Sequence, residues 1–204
     1  MSADERRAER LSSLKEACLD LIGETGVASI TAEGVSGRAG LTKRYFYESF
    51  SDRDALLYAV MDEFFTDVRA EMLDALAGGG GTPAYRAHTI ARILIETLER
   101  DRRRARLYIE SAGQPTLRTR REQAYAAFVD LLLDMVSSGP DKDGGRTLNS
   151  STEQRRTVAA LIVVAGTTQA AISWLQGDFE LQRENVIDEI ARMIIAAVRP
   201  AEGS

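Results

Sequence analysis

Apolar residues recur along this chain at helical spacing, and no run alternates in the manner of a half-buried strand. Leu11, Leu14, Cys18, Leu21 and Ile22 form one stripe, predicting a first helix over about 4–24 that Gly23 and Gly26 stop. A short helix is predicted from Thr31, a residue type that caps N-termini. Gly40 then marks a tight turn, and Thr42 can cap a second short helix. A long helix is predicted over 52–77, where Ser51-Asp52-Arg53-Asp54 has the form of a capping box with acids in the positive first turn. Its apolar face runs through Leu57, Val60, Phe64, Val68, Met72 and Leu76, and it ends at Gly78 to Gly81 and Pro83. Further helices are expected over 84–100, 103–112, 117–137, 152–176 and 182–198, with a loop from Gly139 to Ser150. The last helix has the stripe Val186, Ile187, Ile190, Met193, Ile194, Ala197, Val198, with Pro200 just past its end. The expected fold class is all-α, with about nine helices.

Composition narrows the picture. The chain has 204 residues, 44% hydrophobic and 28% charged, which suits one or two folded domains and excludes disorder. A single cysteine forms no internal disulfide, and the charged start MSADERRAER lacks the apolar stretch of a secretory signal, so a cytoplasmic protein is expected. Val158 to Leu175 carries no charge, but it is short for a membrane span and holds Gly166, Thr167, Thr168, Gln169 and Ser173. A buried helix is the expectation, and no membrane association.

A net charge of -5 argues against a general nucleic-acid binder, and the segment through Asp54 is itself acidic. The exception is local. Arg38, Lys43 and Arg44 lie in a stretch from Arg38 to Tyr47 that contains no acid, and specific DNA binding needs only such a surface, with the acids facing elsewhere. Residues 31–56, TAEGVSGRAGLTKRYFYESFSDRDAL, read as a short helix, a glycine turn, a second short helix and a capped third. Ile30, Val35, Ala39, Leu41, Phe46 and Phe50 can lock the two short helices together, leaving the second free to enter a major groove. With Phe46 inward and about 100° per residue, Arg44 and Glu48 point most directly outward and Tyr45 and Tyr47 flank them. Arg44 can bond bidentately with guanine, and Lys43 can reach a base or a phosphate.

In these residues the sequence resembles the TetR family of bacterial regulators. The matching positions are Thr31, Val35, Ala39-Gly40-Leu41, Thr42, Phe46-Tyr47 and Phe50, then Arg53 and Leu56, covering about 50 residues at the N-terminus. The resemblance implies a three-helix helix-turn-helix domain over 1–52, followed over 53–204 by a helical bundle for effector binding and dimerisation. It implies phosphate contacts from Thr31, Tyr47 and Arg53 and base contacts from the start of the recognition helix. The DNA-binding set is then Thr31, Thr42, Lys43, Arg44, Tyr45, Tyr47 and Arg53. It further implies a homodimer on an operator in double-stranded DNA, with repression the expected sign. The departures are specific. Arg44 and Tyr45 stand where small residues are usual, and Ser36 where alanine is. Gly34 and Gly37 each weaken the first short helix by about 1 kcal/mol relative to alanine. Glu33 and Glu48 place acids near DNA-facing positions, where they can read cytosine, restrict non-specific binding or point past the duplex.

Catalytic chemistry is scarce. His88 is the only histidine, and neither a G-x-S-x-G elbow nor a phosphate-cradling loop is present. No enzyme, metal site or cofactor is expected, and Cys18 belongs to the core stripe. A small apolar effector is expected to meet His88, Tyr108, Tyr125, Phe128, Thr168, Gln169 and Trp174; Met135 is a further candidate. Thr168 and Gln169 stand out as polar groups in an apolar helix, where burial would demand partners. By the resemblance, the last two helices pair across a two-fold axis. Gly166 and Ala170 permit close approach, and Val163, Ile187, Ile190 and Ile194 supply apolar area. The arginines at 102, 103, 104 and 106 read as a solvated helix face. Two rivals remain: a helical ligand-binding protein or enzyme without DNA binding, and an adaptor whose Arg44 and Tyr45 meet an acidic protein.

Overall fold

A computed structural model of the chain describes residues 2–77, 81–137 and 150–198. Gly78 to Gly80, most of the loop from Gly139, and Pro200 lie outside them, as do the side chains of Met135 and Val198. The described residues are helical throughout: α1 Ala3–Thr25, α2 Ala32–Arg38, α3 Lys43–Ser49, α4 Arg53–Ala77, α5 Pro83–Arg100, α6 Arg102–Glu110, α7 Pro115–Ser137, α8 Ser150–Gln176 and α9 Arg183–Val198. Short 3-10 turns at Val27–Ser29 and Ser111–Gly113 follow α1 and α6. The all-α expectation holds, as does the order of helices.

Two helix starts differ from the sequence reading. At α4 the cap is Asp52, whose carboxylate accepts the Ala55 N–H at 2.8 Å, while Ser51 donates to Asp52. A carboxylate is the stronger acceptor at the positive end of a helix, and the bonds from the Ala55 N–H and the Ser51 hydroxyl hold its pKa below the usual carboxylate range. Thr42 stands at the N-cap of α3 but makes no side-chain cap bond. A true capping box lies at the start of α1 instead, where Ser2 and Glu5 bond each other's backbone N–H.

The chain divides into two compact units, Met1–Asp67 with Arg100–Arg121, and Val68–Glu99 with Glu122–Ser204. In the first, α1 supplies Leu14, Cys18 and Ile22 to the core, α2 Val35, α3 Phe46, and α4 Leu57, Met61 and Phe64, all buried. Cys18 is fully enclosed, and burial pushes its thiol up to about 12, so it is an inert packing residue. Tyr108 of α6 packs among Phe64 and Phe65.

The α6 arginines are not the solvated face expected from sequence. Arg103 bridges Glu16 at 2.6 Å and Asp20 of α1, and Arg104 meets Asp67 of α4 at 2.8 Å. Arg106 donates to the Gly23 carbonyl and pairs with Glu110, which in turn accepts the Val27 N–H at 2.6 Å. Only Arg102 is exposed. Arg103 and Arg104, adjacent on a short helix, find acids on α1 and α4, which no single-helix projection reveals.

In the second unit α8 packs on α9. Arg183, at the start of α9, reaches back to Glu99 at 2.9 Å and Glu96 at 3.3 Å on α5. Most of the α9 stripe faces inward, with Val186, Ile187, Ile190 and Ile194 at most 4% exposed, but Met193 is 40% exposed. The uncharged stretch of α8, expected to be a buried helix, is not. Val158, Leu161 and Ile162 are 56%, 48% and 66% exposed, while Ala160, Val164, Ala171 and Ile172 point inward. By length and composition α8 would pass for a membrane span, the one such helix among the described residues.

Candidate nucleic-acid interface

The short α2 and α3 are set by a turn that only their sequence permits. Thr31 caps α2, its hydroxyl accepting the Gly34 N–H at 3.0 Å. Ser36, buried, returns its hydroxyl to the Ala32 carbonyl at 2.7 Å. Gly40 takes φ +67°, the Leu41 N–H bonds the Ser36 carbonyl at 2.9 Å, and the Gly40 N–H bonds that of Gly37. This is a Schellman closure, and it turns the chain sharply into α3. Phe46 then locks α3 down. It is fully buried, with Phe50 at 5.9 Å centroid distance.

What remains outside is the predicted reading surface. Lys43, Arg44, Tyr45, Tyr47 and Glu48 are exposed, Arg44 most of all, with 84% of its side chain accessible. Tyr47 is 59% exposed and stands edge-on to Phe46, while Tyr45 lies beneath the Arg10 guanidinium at 4.8 Å. Arg10 is a candidate DNA contact that the sequence reading missed. The clue was the run of arginines in the first helix, which was read only as the absence of a signal peptide.

Arg53 differs from its expected role. Its Nη2 donates to the Val27 carbonyl at 2.7 Å, its Nη1 approaches Asp54 at 3.3 Å, and its Nε is buried without a partner among the described residues. Both backbone groups of Val27 are thus held by side chains, the N–H by Glu110 and the C=O by Arg53. Arg53→Ala should therefore destabilise the chain by about 1–2 kcal/mol, since a charge-assisted bond to a backbone carbonyl is lost from a partly exposed site. Urea unfolding checks this; a purely phosphate-contacting Arg53 would leave the midpoint unchanged.

Acids lie against the basic stretch rather than all facing elsewhere, and Glu33 and Glu48, whose positions in the sequence put them near the DNA-facing residues, are among them. Arg38 pairs with Glu24 at 2.6 Å, Lys43 with Glu33 at 2.8 Å and Arg44 with Glu48 at 2.8 Å. Each bond raises the cation's pKa; in the first two pairs it also holds the partner carboxyl below its usual range. The segment is acid-free only in sequence.

The expected effector residues fall in both units. Tyr108 belongs to the first unit, and His88, Tyr125, Phe128, Thr168, Gln169 and Trp174 to the second. His88 is half exposed, with its Nε2 3.3 Å from Asp188. Thr168 is satisfied by its own helix through the Val164 carbonyl at 2.7 Å, Gln169 is exposed, and Trp174 donates to the Leu181 carbonyl at 2.9 Å. The buried-polar argument for Thr168 and Gln169 therefore does not hold. A group that meets it is Thr97 of α5, 6% exposed with a hydroxyl that has no partner among the described residues. Of the tentative interface residues, Ile187, Ile190 and Ile194 are already used by the chain's own core, whereas Gly166 is exposed and Val163 and Ala170 are half-buried.

No family model and no curated protein matches the chain. Solved structures do. The regulator FadR from Bacillus subtilis, solved with stearoyl-CoA, is 13% identical with a TM-score of 0.70, covering 91% of this chain and 98% of its own. A TetR-like transcriptional regulator from Rhodococcus sp. RHA1 is 15% identical with a TM-score of 0.66, over 92% and 96%. AibR, solved with isovaleryl-CoA and operator DNA, is 19% identical with a TM-score of 0.63, over 90% and 97%. The chain has the fold of TetR-type regulators along nearly its whole length.

Proposed function

We propose that this chain is a sequence-specific DNA-binding transcriptional regulator that acts as a homodimer and leaves its operator when a small apolar effector binds. The observation that carries the reading is the α2–Gly40–α3 unit, with Phe46 fully buried behind α3 and Lys43, Arg44 and Tyr47 projecting from it. An α-helix so displayed enters a major groove with its N-terminal residues near base edges. Thr31, Thr42, Lys43, Arg44, Tyr45 and Tyr47 form the DNA-binding set, with Arg10 added and Arg53 assigned chiefly to holding Val27. The likeness to AibR, which is solved with operator DNA, supports the same use here.

A second copy is the natural cover for α8. An exposed apolar patch of this kind rarely stays in water, and a helix with small Gly166 and Ala170 along it allows close approach of a partner helix. The interface is read as Val158, Leu161, Ile162, Val163, Gly166 and Ala170; a soluble, cytoplasmic dimer is preferred to a membrane anchor. The domains are read as a DNA-binding part over 1–52 and an effector-binding and dimerisation part over 53–204, and the protein as a repressor rather than an enzyme. FadR and AibR are solved with acyl-CoA thioesters, whose coenzyme A part is large and anionic, so acyl-CoA thioesters of short and long chain are effectors to try beside small apolar molecules.

Two experiments test the reading. Arg44→Ala should change which duplexes are selected from a random pool and weaken the wild-type site roughly ten- to hundred-fold, the range of one bidentate base contact. A panel of small apolar compounds and acyl-CoA thioesters titrated onto the wild-type complex should contain one that releases it. A variant that selects the same sequences with the same affinity, or a protein that holds no duplex selectively, would end the proposal.

A further inference from the structure

The free reading surface carries its own counter-ions. Lys43 of α3 is held by Glu33 of α2, and Arg44 by Glu48 one turn along the same helix, both at 2.8 Å. All four side chains are substantially exposed, Glu33 at 78% and Arg44 at 84%. Arg38 at the end of α2 is likewise held, by Glu24 of α1 at 2.6 Å. No cation of the stretch 38–47 is left without an acid, although that stretch contains none.

Exposed ion pairs of this kind are weak and exchange readily, so they do not exist for stability. Their consequence is electrostatic. Non-specific DNA affinity comes almost wholly from neutralising phosphates and falls steeply with salt. A cation already matched by a carboxylate adds little to that attraction, and the carboxylate itself repels the phosphates of an approaching duplex. Base-edge hydrogen bonds, which form only on the right sequence, are what compensate for breaking the pairs.

Resting on the DNA-binding reading above, we infer that Glu33 and Glu48 are selectivity residues: they suppress binding to arbitrary duplexes by neutralising Lys43 and Arg44, and release them only to a matching site. The acids act through the cations and touch no base themselves. This also fits a chain of net charge -5, whose overall field gives no general attraction to DNA.

The test compares the wild-type protein with Glu33→Gln, Glu48→Gln and the double variant. Binding is measured to the best site from a random-duplex selection and to an unrelated duplex, across a salt series. Glutamine keeps the size and a hydrogen-bonding oxygen, and circular dichroism and urea unfolding check that α2 and α3 stay folded. The double variant should bind the unrelated duplex about ten-fold tighter near physiological salt, with a salt slope steeper by up to about two. Its affinity for the selected site should rise less, so the ratio between the two falls. A Glu153→Gln, Glu180→Gln variant, with the same charge change in the second unit, should leave the ratio unchanged. The inference is overturned if the ratio does not move, if the control moves it equally, or if the double variant loses the selected site, which would make the acids base readers. A wild-type protein that selects no site would instead overturn the DNA-binding reading itself.

Discussion

Replacing Phe46 by alanine should cost about 3–5 kcal/mol, the range for truncating a buried aromatic, and should abolish binding to every duplex. The ring is fully enclosed, and it is the one buried side chain of α3. A helix of only Lys43–Ser49 has no stability by itself, because so short a segment cannot offset its own nucleation. It exists because Phe46 docks it against the rest of its unit, with Phe50 and the edge of Tyr47 beside it. Without the ring, Lys43, Arg44 and Tyr47 lose their fixed directions together. Native stabilities are typically about 5–15 kcal/mol, so the loss takes a large share. Urea unfolding gives the cost, and amide exchange should show α3 losing protection first. A cost below about 1 kcal/mol would mean that α3 is held by something other than this ring.

Gly26→Ala should be nearly as damaging, at about 3 kcal/mol or more. Gly26 has φ 86° and ψ 166°, a region that residues with a Cβ hardly enter. An added Cβ would also lie 2.8 Å from Glu110 Oε2, the carboxylate that accepts the Val27 N–H. The substitution therefore strains the backbone and pushes away the group that ties α6 to the junction of α1 and α2. Gly37→Ala is the matched control. It lies inside α2 with open space around it, and there alanine should stabilise by about 0.5–1 kcal/mol. If both alanines had the same effect on the unfolding midpoint, the tie through Glu110 would carry no weight.

Much of the fold was legible because helix signals are local. Glycine at a turn, Pro83 at the start of α5, and apolar stripes at 3.6-residue spacing mark helices without reference to the rest of the chain. The misread cap at α4 has a local cause too: Ser51 and Asp52 are adjacent cap-type residues, and the pattern does not say which takes the cap. The remaining errors share a different cause. Arg103, Arg104 and Arg106 find partners on α1 and α4, and Lys43 finds one on α2. Partners brought together only by tertiary packing leave no trace in the spacing along one helix.

Burial was the other weak point. The α9 stripe and the uncharged stretch of α8 looked equally apolar, yet Ile190 is 3% exposed and Ile162 is 66%. A hydrophobic pattern says that a face needs cover, not whether its own chain or a partner supplies it. The effector site suffered most, since Thr168 bonds its own helix while Thr97, without a partner among the described residues, carried no sequence signal beyond being a threonine among isoleucines and leucines.

The most direct measurement is selection of random duplexes by the purified full-length chain, with the sequence preference read from the enriched pool. Two reading helices related by a two-fold axis predict an inverted repeat, its half-site centres separated by about 10–10.5 base pairs or a multiple. A pool that stays random, or binding equal for all duplexes and lost uniformly with salt, would contradict the assignment of α3 to a specific groove.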